Sequence, residues 1–190
     1  MYRKCTTEKA AAQQRRFQEA LLSSMISQSY SNVTVTDLCR QTGLSRKTFY
    51  RLYENKDDVL CAMLDGVLYK MYQYQEPKRT VHEDLHRVFS YWKEQKEVLD
   101  VLSSNHQSYL LLERALNYIS SEESETQRAF GVEDHPHKDE ILLFVLGGVM
   151  SLIIRWHHSD YAKSTEEMAQ IAAKLLMCPP LQTVITEEIL

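Results

Sequence analysis

Residues 34–56 contain two short helical patterns that a single glycine separates, in the run TVTDLCRQTGLSRKTFYRLYENK. The Thr34 hydroxyl can accept a hydrogen bond from the amide three residues later, where Asp37 can reach back as in a capping box. Gly43 stands where a tight turn requires a positive φ, and Ser45 can cap the next helix. This order of cap, helix, turn and helix predicts a helix-turn-helix, whose second helix enters the DNA major groove.

The rest of the chain has the composition of a helical protein. Its 190 residues include only 5 glycines and 4 prolines, and its apolar residues recur at three- and four-residue spacing. The expected fold is therefore all-α. It has a three-helix helix-turn-helix head in residues 1–56 and a helical bundle in residues 57–190.

Outside the motif, helices are expected over residues 8–28, 56–74, 104–120 and 141–156. Two more begin at the capping boxes of Thr80 and Ser164. Three polar stretches, residues 75–80, 120–128 and 131–139, are expected to contain loops. Cys178, followed by Pro179 and Pro180, should stop the last helix.

Charge is divided unevenly between the two parts of the chain. The net charge is −4, but residues 1–56 carry ten basic and four acidic side chains, a net +6. The remainder carries 12 basic and 22 acidic side chains, a net −10. A basic head on an acidic body is typical of a protein that touches nucleic acid phosphates with one end only.

Side chains of the motif have the chemistry of DNA contacts. Arg46 or Lys47 can donate to guanine O6 and N7, and Thr48 can touch a thymine methyl group. Phosphate contacts, which position a protein without specifying sequence, are predicted for Thr34, Thr36, Tyr50 and Lys56. The predicted core beneath them is Leu38, Leu44, Phe49 and Leu52. An ordinary helical hairpin with surface cations is the alternative interpretation.

The motif resembles the DNA-binding domain of the TetR/AcrR family of bacterial transcriptional regulators. The matching residues are T-V-T-D-L, G-L-S, and T-F-Y-R-L-Y-E-N-K-D-D-V-L over residues 48–60. More loosely, residues 147–156 and 164–168 are similar to an AcrR-like branch that includes dihydroxyacetone-kinase-operon regulators. Leu52 departs from the family, in which histidine is common at this position, and is therefore left out of the DNA contacts.

The resemblance implies a homodimer that binds a palindromic DNA operator, usually as a repressor and sometimes as an activator. The DNA contacts that it implies are Thr34, Thr36, Arg46, Lys47, Thr48, Tyr50 and Lys56. The body would be a dimerisation and effector domain. An unknown small-molecule or protein effector would act there through different affinities for two states of the dimer. No cofactor is expected.

Residues 141–154 form the longest uncharged apolar run, which is too short to span a membrane. A helix over residues 141–156 would be apolar all round, and a soluble helix of this kind must be covered on every side. Gly147 and Gly148 would let another helix approach closely. One cover is predicted to be a second copy of the chain. The predicted dimer contacts are Leu146, Val149, Met150, Ile153, Trp156, Ile171 and Leu175.

Aromatic side chains of the middle helices are candidates for the wall of an effector pocket. These candidates are Tyr69, Tyr72, Phe89, Trp92, Tyr109, Tyr118 and Phe144. Aromatic residues at helical spacing also fill ordinary cores, and the sequence leaves both interpretations open.

Other functional classes have weaker support. His82 and His86 have metal-ligand spacing on a helix, but no third ligand is evident, so no metal site is predicted. Cys39 is expected to fill a core position, and cysteine usage suits a reduced, cytoplasmic protein. The sequence has no nucleophile elbow, P-loop or dinucleotide loop, so an enzyme is not expected. The alternative function is a helical interaction protein or coactivator that responds to a protein partner.

Overall fold

The computed structural model describes residues 7–73, 80–120 and 134–177, and the regular structure within these ranges is helical throughout. The helices are α1 (Glu8–Ser27), α2 (Val35–Thr42), α3 (Arg46–Leu52), α4 (Lys56–Tyr72), α5 (Val81–Glu94), α6 (Lys96–Ser104), α7 (Ser108–Ser120), α8 (Lys138–His158) and α9 (Thr165–Leu176). A 3-10 turn, Tyr30–Asn32, lies between α1 and α2. The all-α prediction is confirmed.

Five helices begin at the residues that the sequence marks as caps. The side chains of Thr34, Ser45, Asn55, Thr80 and Ser164 each accept a hydrogen bond from the amide three residues later. Those at the starts of α2, α5 and α9 are complete capping boxes. These bonds satisfy first-turn amides that have no partner within the helix, which fixes where each helix starts.

The segment before α7 differs from the predicted single helix over residues 104–120. The chain turns at His106, whose φ is 56°, so that α6 ends before α7 begins. The amide of Gln107 donates to the carbonyl of Leu102 at 2.8 Å, and the amide of His106 donates to that of Ser103 at 3.1 Å. This pair of bonds is a Schellman motif, which closes α6. The separate helix α6 was not predicted.

Helix α4 joins the N-terminal helices to the rest of the chain. It packs against both α1 and α7. The predicted domain boundary between residues 56 and 57 falls in its first turn and stays a prediction.

Helices α5 to α9 form the body, and α8 contacts α5, α6, α7 and α9. Phe89 and Trp92 of α5 are fully buried there, and the Phe89 ring meets Trp156 of α8 edge-on at 5.6 Å. The sequence predicts that α8 is covered on every side, in part by a second copy of the chain. In the single chain this cover is incomplete. One face of α8 is buried, and another, which includes Leu143 and Phe144, is exposed.

Helix α8 is also the one helix in the described ranges that is long and apolar enough to cross a membrane by length and composition. Half of its most apolar 18-residue segment is buried inside the chain, and the core helix of a soluble protein can have the same length and composition. It is therefore weak evidence for a membrane span. Most of the predicted loops at residues 75–80 and 120–128, the first part of the loop predicted over residues 131–139, and the proline stop after Cys178 lie outside the described residues. Lys138 and Asp139, at the end of the third predicted loop, belong instead to the first turn of α8.

Candidate nucleic-acid interface

Helix α3 packs against a small aromatic core. The Phe49 side chain is 0% exposed, and its ring meets that of Phe17 on α1 edge-on, with centroids 5.1 Å apart. Tyr53, just after α3, is buried at 5.7 Å from the Phe49 ring. Leu38 and Leu52 are buried as predicted, and Leu44 packs partly buried against the same core. This packing holds the opposite side of α3 toward solvent.

The turn between α2 and α3 has the predicted geometry. Gly43 adopts φ 66° and ψ 18°, a left-handed conformation that costs other residues energy. The Arg16 guanidinium of α1 donates to the carbonyl of Thr42 just before the turn. The Thr42 hydroxyl donates back to the Leu38 carbonyl at 2.8 Å. The turn between α2 and α3 is therefore held by side chains of α1 and α2.

Side chains on the outer side of α3 meet the requirements of a DNA-reading helix. Arg46, Lys47 and Tyr50 are exposed, and Thr48 is half-buried. The Arg46 guanidinium lies 3.4 Å from the Tyr50 hydroxyl and 5.9 Å from the centre of that ring. The Thr48 hydroxyl lies 3.0 Å from that of Ser45. The structure thus places four predicted contacts on one short helix.

Thr34 and Thr36 are exposed at the start of α2. The Thr34 hydroxyl already donates to the Asp37 carboxylate at 2.5 Å while it accepts from the Asp37 amide. These hydrogen bonds from Thr34 hold the pKa of the Asp37 carboxyl below its usual range. Thr34 would have to turn its proton away from Asp37 to bind a phosphate oxygen, whereas no such cap bond occupies Thr36.

Lys56, a predicted phosphate contact, already has partners within the chain, and its contact with DNA stays a prediction. Its ammonium donates to the carbonyls of Tyr30, Ser31 and Val33 at 2.6, 3.2 and 3.0 Å, and lies 4.5 Å from the centre of the Tyr30 ring. A lysine has three donors, and these bonds use all of them. The structure therefore assigns Lys56 the role of fixing the turn before α2, which the sequence motif did not reveal.

Two further basic side chains of the head were not among the predicted contacts. Arg40 in the last turn of α2 has 78% of its side chain exposed and pairs with Asp37 at 2.8 Å. Arg51 of α3 donates to Gln13 of α1 at 2.7 Å. The positive charge of the head was the only sequence signal for them, since neither belongs to the motif's contact positions.

The turn before α2 is also the junction between head and body. Asn105, at the end of α6, accepts a hydrogen bond from the Tyr30 amide at 2.6 Å and donates to the Met25 carbonyl at 3.1 Å. The Tyr30 hydroxyl donates to Asp57 in the first turn of α4, and burial with this bond raises the pKa of Tyr30. A movement of α6 would therefore displace residues at the start of both α2 and α4.

The seven predicted effector-pocket residues do not line one cavity. Phe89 and Trp92 are fully buried in the core. Tyr72 and Tyr118 stack nearly parallel, with ring centroids 4.7 Å apart. The other three are exposed: Tyr69, Tyr109 and Phe144. Phe89 and Trp92 therefore fill the core in the single chain, and an effector site among these residues stays a prediction.

The predicted dimer contacts divide into two groups. Five are buried in the subunit's own core and present little surface to a partner: Leu146, Val149, Met150, Ile153 and Trp156. Ile171 is partly buried against the same core. Leu175 is exposed, and it lines a surface groove whose wall also includes buried Val149. The buried residues face inward because α8 turns that side against α5, α6 and α7, and the dimer interface stays a prediction.

This α8–α9 groove is apolar and has a volume of about 680 Å³. Its lining residues are Phe144, Val145, Gly148, Val149, Ser151, Leu152, Arg155, Ala172, Leu175 and Leu176. Phe144 is 64% and Leu175 56% exposed. A Cβ atom added at Gly147 or Gly148 would meet nothing within 4 Å, so both glycines face open space in the single chain.

The thiol of Cys39 is buried in the head, as predicted, and burial raises its pKa. A raised pKa lowers the thiolate fraction, and the thiolate is the form that oxidises readily. The geometry therefore supports a packing role for Cys39.

Comparison with protein families matches both parts of the chain. A model described as bacterial regulatory proteins, tetR family, matches residues 19–63. A second, TetR_C_8, described as a transcriptional regulator C-terminal region, matches residues 79–178, more than half of the chain. No curated protein sequence matches the chain.

Solved structures of similar fold include a TetR transcriptional regulator from Streptococcus agalactiae 2603V. It has a TM-score of 0.65 and 19% identity, over 88% of this chain and 95% of that one. The dihydroxyacetone kinase operon activator DhaS aligns with a TM-score of 0.57 and 14% identity, over 86% and 93% of the two chains. A TetR transcriptional regulator from Rhodococcus sp. RHA1 aligns with a TM-score of 0.58 and 14% identity, over 93% and 99%. At these identities the likeness shows the shared fold alone.

Proposed function

The chain belongs to the tetR family of bacterial transcriptional regulators, and on this premise we propose that it is a cytoplasmic homodimeric repressor of a palindromic operator. The observation that carries the proposal is the outer side of α3. Arg46, Lys47 and Tyr50 are exposed there, above a fully buried Phe49 that fixes the helix. A rigid scaffold that presents basic side chains from a short helix suits base reading in the major groove.

The side chains divide into two roles. Arg46 and Lys47 donate to guanine edges, and Thr48 packs its methyl group against thymine. Tyr50, Thr36 and Thr34 contact phosphates, with Arg40 added to the predicted set because it is exposed on the neighbouring helix. Lys56 supports these contacts indirectly, since it holds the turn from which α2 starts.

The α8–α9 groove is the proposed dimer interface. Its apolar lining, with Phe144 and Leu175 more than half exposed, is unfavourable in water and is buried when a second copy covers it. Gly148 lets the partner's helix approach the backbone of α8 closely. Two heads held in this way would meet half-sites about 34–36 Å apart on one side of the DNA.

Regulation is proposed to act through the junction at Asn105. An effector that binds the body, a small molecule or a protein, changes DNA affinity only if it binds one head spacing more tightly than another. The hydrogen bonds of Asn105 to Met25 and Tyr30 connect α6 directly to the turn before α2. Through these hydrogen bonds, a movement of the body can shift the turn before α2 and, with it, the DNA-reading helix α3.

The salt dependence of binding to a mixed-sequence DNA duplex tests DNA contact. We expect wild-type affinity to fall about 10³–10⁵-fold between 50 and 200 mM salt if six to ten phosphates are contacted, because bound cations displace counterions. The double variant Arg46→Ala, Lys47→Ala should bind more weakly and with a shallower salt dependence. Fluorescence anisotropy of labelled duplex measures both.

The matched control is Lys70→Ala, Lys163→Ala, which removes the same charge from exposed positions outside the head. It should leave the affinity and the salt slope close to wild type. Flat, negligible wild-type binding, or an equal loss in the control, would refute DNA reading by α3 and favour the interaction-protein alternative.

A further inference from the structure

Two histidines of α5 meet a carboxylate of α9. The Nε2 atom of His82 lies 3.2 Å from Oε1 of Glu166, and Nε2 of His86 lies 4.0 Å from Oε2 of the same side chain. His82 and His86 are one helical turn apart, which is the spacing of paired metal ligands on a helix. The sequence lacked a third ligand beside them, and the fold supplies one from a distant part of the chain.

We propose that His82, His86 and Glu166 form a binding site for a late first-row divalent metal ion, with Zn²⁺ the best match. Imidazole nitrogens suit Zn²⁺, Cu²⁺ and Ni²⁺, and a carboxylate oxygen completes the two-histidine, one-carboxylate set found in open zinc sites. Three protein ligands leave a tetrahedral ion one position for water.

The helices that carry the ligands are well fixed. α5 and α9 pack against each other, and each begins with a complete capping box, at Thr80 and at Ser164. His82 and Glu166 are both in the first turn after these caps. The backbone positions of the two ligands are therefore set by the fold before an ion arrives.

The side chains must rotate to receive the ion. As they are placed in the described ranges, no group of three or more His, Cys, Asp or Glu side chains could hold a metal ion. His82, His86 and Glu166 are 39%, 46% and 51% exposed, so their side chains have room to rotate. An ion that draws all three inward would replace two histidine–carboxylate contacts with coordination bonds.

Neighbouring groups favour Glu166 as the carboxylate ligand. Gln170 donates to its Oε1 atom at 2.7 Å, an orienting bond of the kind that supports metal ligands. Glu167 is occupied elsewhere, because it accepts hydrogen bonds from the Ser164 amide and hydroxyl at 2.7 and 2.8 Å. Those bonds lower the pKa of Glu167 and keep its carboxylate in the capping box.

Bound metal would tie the first turn of α5 to the first turn of α9. The last turn of α9 contributes Leu175 and Leu176 to the α8–α9 groove. The site therefore lies on the helix that reaches the proposed dimer interface, and occupancy would stiffen that helix against the body.

Direct titration of the full chain with Zn²⁺, in competition with a chromophoric chelator and without DNA, tests the site. We expect one ion per chain, and a dissociation constant at least about tenfold higher in His82→Ala, His86→Ala and Glu166→Gln, since even supporting residues change metal affinity 10–100-fold. Co²⁺ bound at the same site should give a visible spectrum without thiolate charge-transfer bands.

The control is His135→Ala, His137→Ala, which removes two other histidines that lie close together. It should bind Zn²⁺ as tightly as wild type. An affinity that is unchanged in the three site variants, a thiolate band from the cysteines, or the absence of stoichiometric binding would overturn the proposal. The last result would leave these residues as a histidine–carboxylate contact between the helices. Because the titration contains no DNA, its outcome is independent of the proposed regulator function.

Discussion

Gly148→Glu is expected to convert the dimer into monomers and to lower the affinity for duplex DNA by about 10²–10⁴-fold, the usual gain from linking two binding modules. A Cβ atom at Gly148 meets nothing within 4 Å, so the single chain tolerates the new side chain. In the dimer the carboxylate would be forced into the apolar α8–α9 groove, where an unpaired charge is costly. Sedimentation equilibrium measures the change in assembly.

Gly66→Glu is the matched control, because Gly66 on α4 is also exposed and a Cβ atom there also meets nothing within 4 Å. It should remain a dimer and bind DNA normally. A Gly148→Glu protein that still sediments as a dimer would show that the interface lies elsewhere. Ile153→Glu cannot serve this purpose, since Ile153 is 0% exposed and a glutamate there would disrupt the subunit core itself.

Phe49→Ala is expected to reduce the free energy of unfolding by about 3–5 kcal/mol, the usual cost of deleting a buried phenylalanine. Phe49 is fully buried and contacts the rings of Phe17 and Tyr53, so the surrounding core would lose aromatic contacts from α1 and α3 together. DNA binding should be lost with the support for α3. Urea unfolding monitored by circular dichroism measures the stability change.

Tyr50→Ala provides the comparison on the same helix. Tyr50 is exposed, so its removal should change stability by no more than about 0.5 kcal/mol, while the phosphate contact is lost. Equal destabilisation by both substitutions would contradict the assignment of an inner and an outer side to α3.

Local signals in the sequence predict most of the head. Caps at Thr34 and Ser45 and the positive φ at Gly43 depend on residues within four positions of each other, so they can be recognised without the fold. The burial of Leu38, Phe49 and Leu52 follows from the helical spacing of apolar residues within the motif. The helix breaks are less predictable. His106 is a non-glycine residue at positive φ, and nothing in its identity marks the end of α6.

Roles that depend on long-range contacts were the ones missed. Lys56 has the charge of a phosphate contact, but its donors are taken by three carbonyls of the turn before α2. The all-round apolar pattern of α8 cannot show which face meets the body and which is exposed. Only the packing against α5, α6 and α7 decides that Ile153 is core and Gly148 is surface. In the same way, Glu166 becomes a neighbour of His82 only through the docking of α9 on α5.

Selection of duplexes from a randomised DNA pool by the full-length chain tests the central claim most directly. A regulator that reads DNA with α3 of two paired subunits should enrich a sequence with two-fold symmetry, bound by two chains, with half-sites about one helical turn apart. The Arg46→Ala, Lys47→Ala protein should lose this preference. Failure to enrich any sequence, or enrichment of an asymmetric site bound by one chain, would contradict the account.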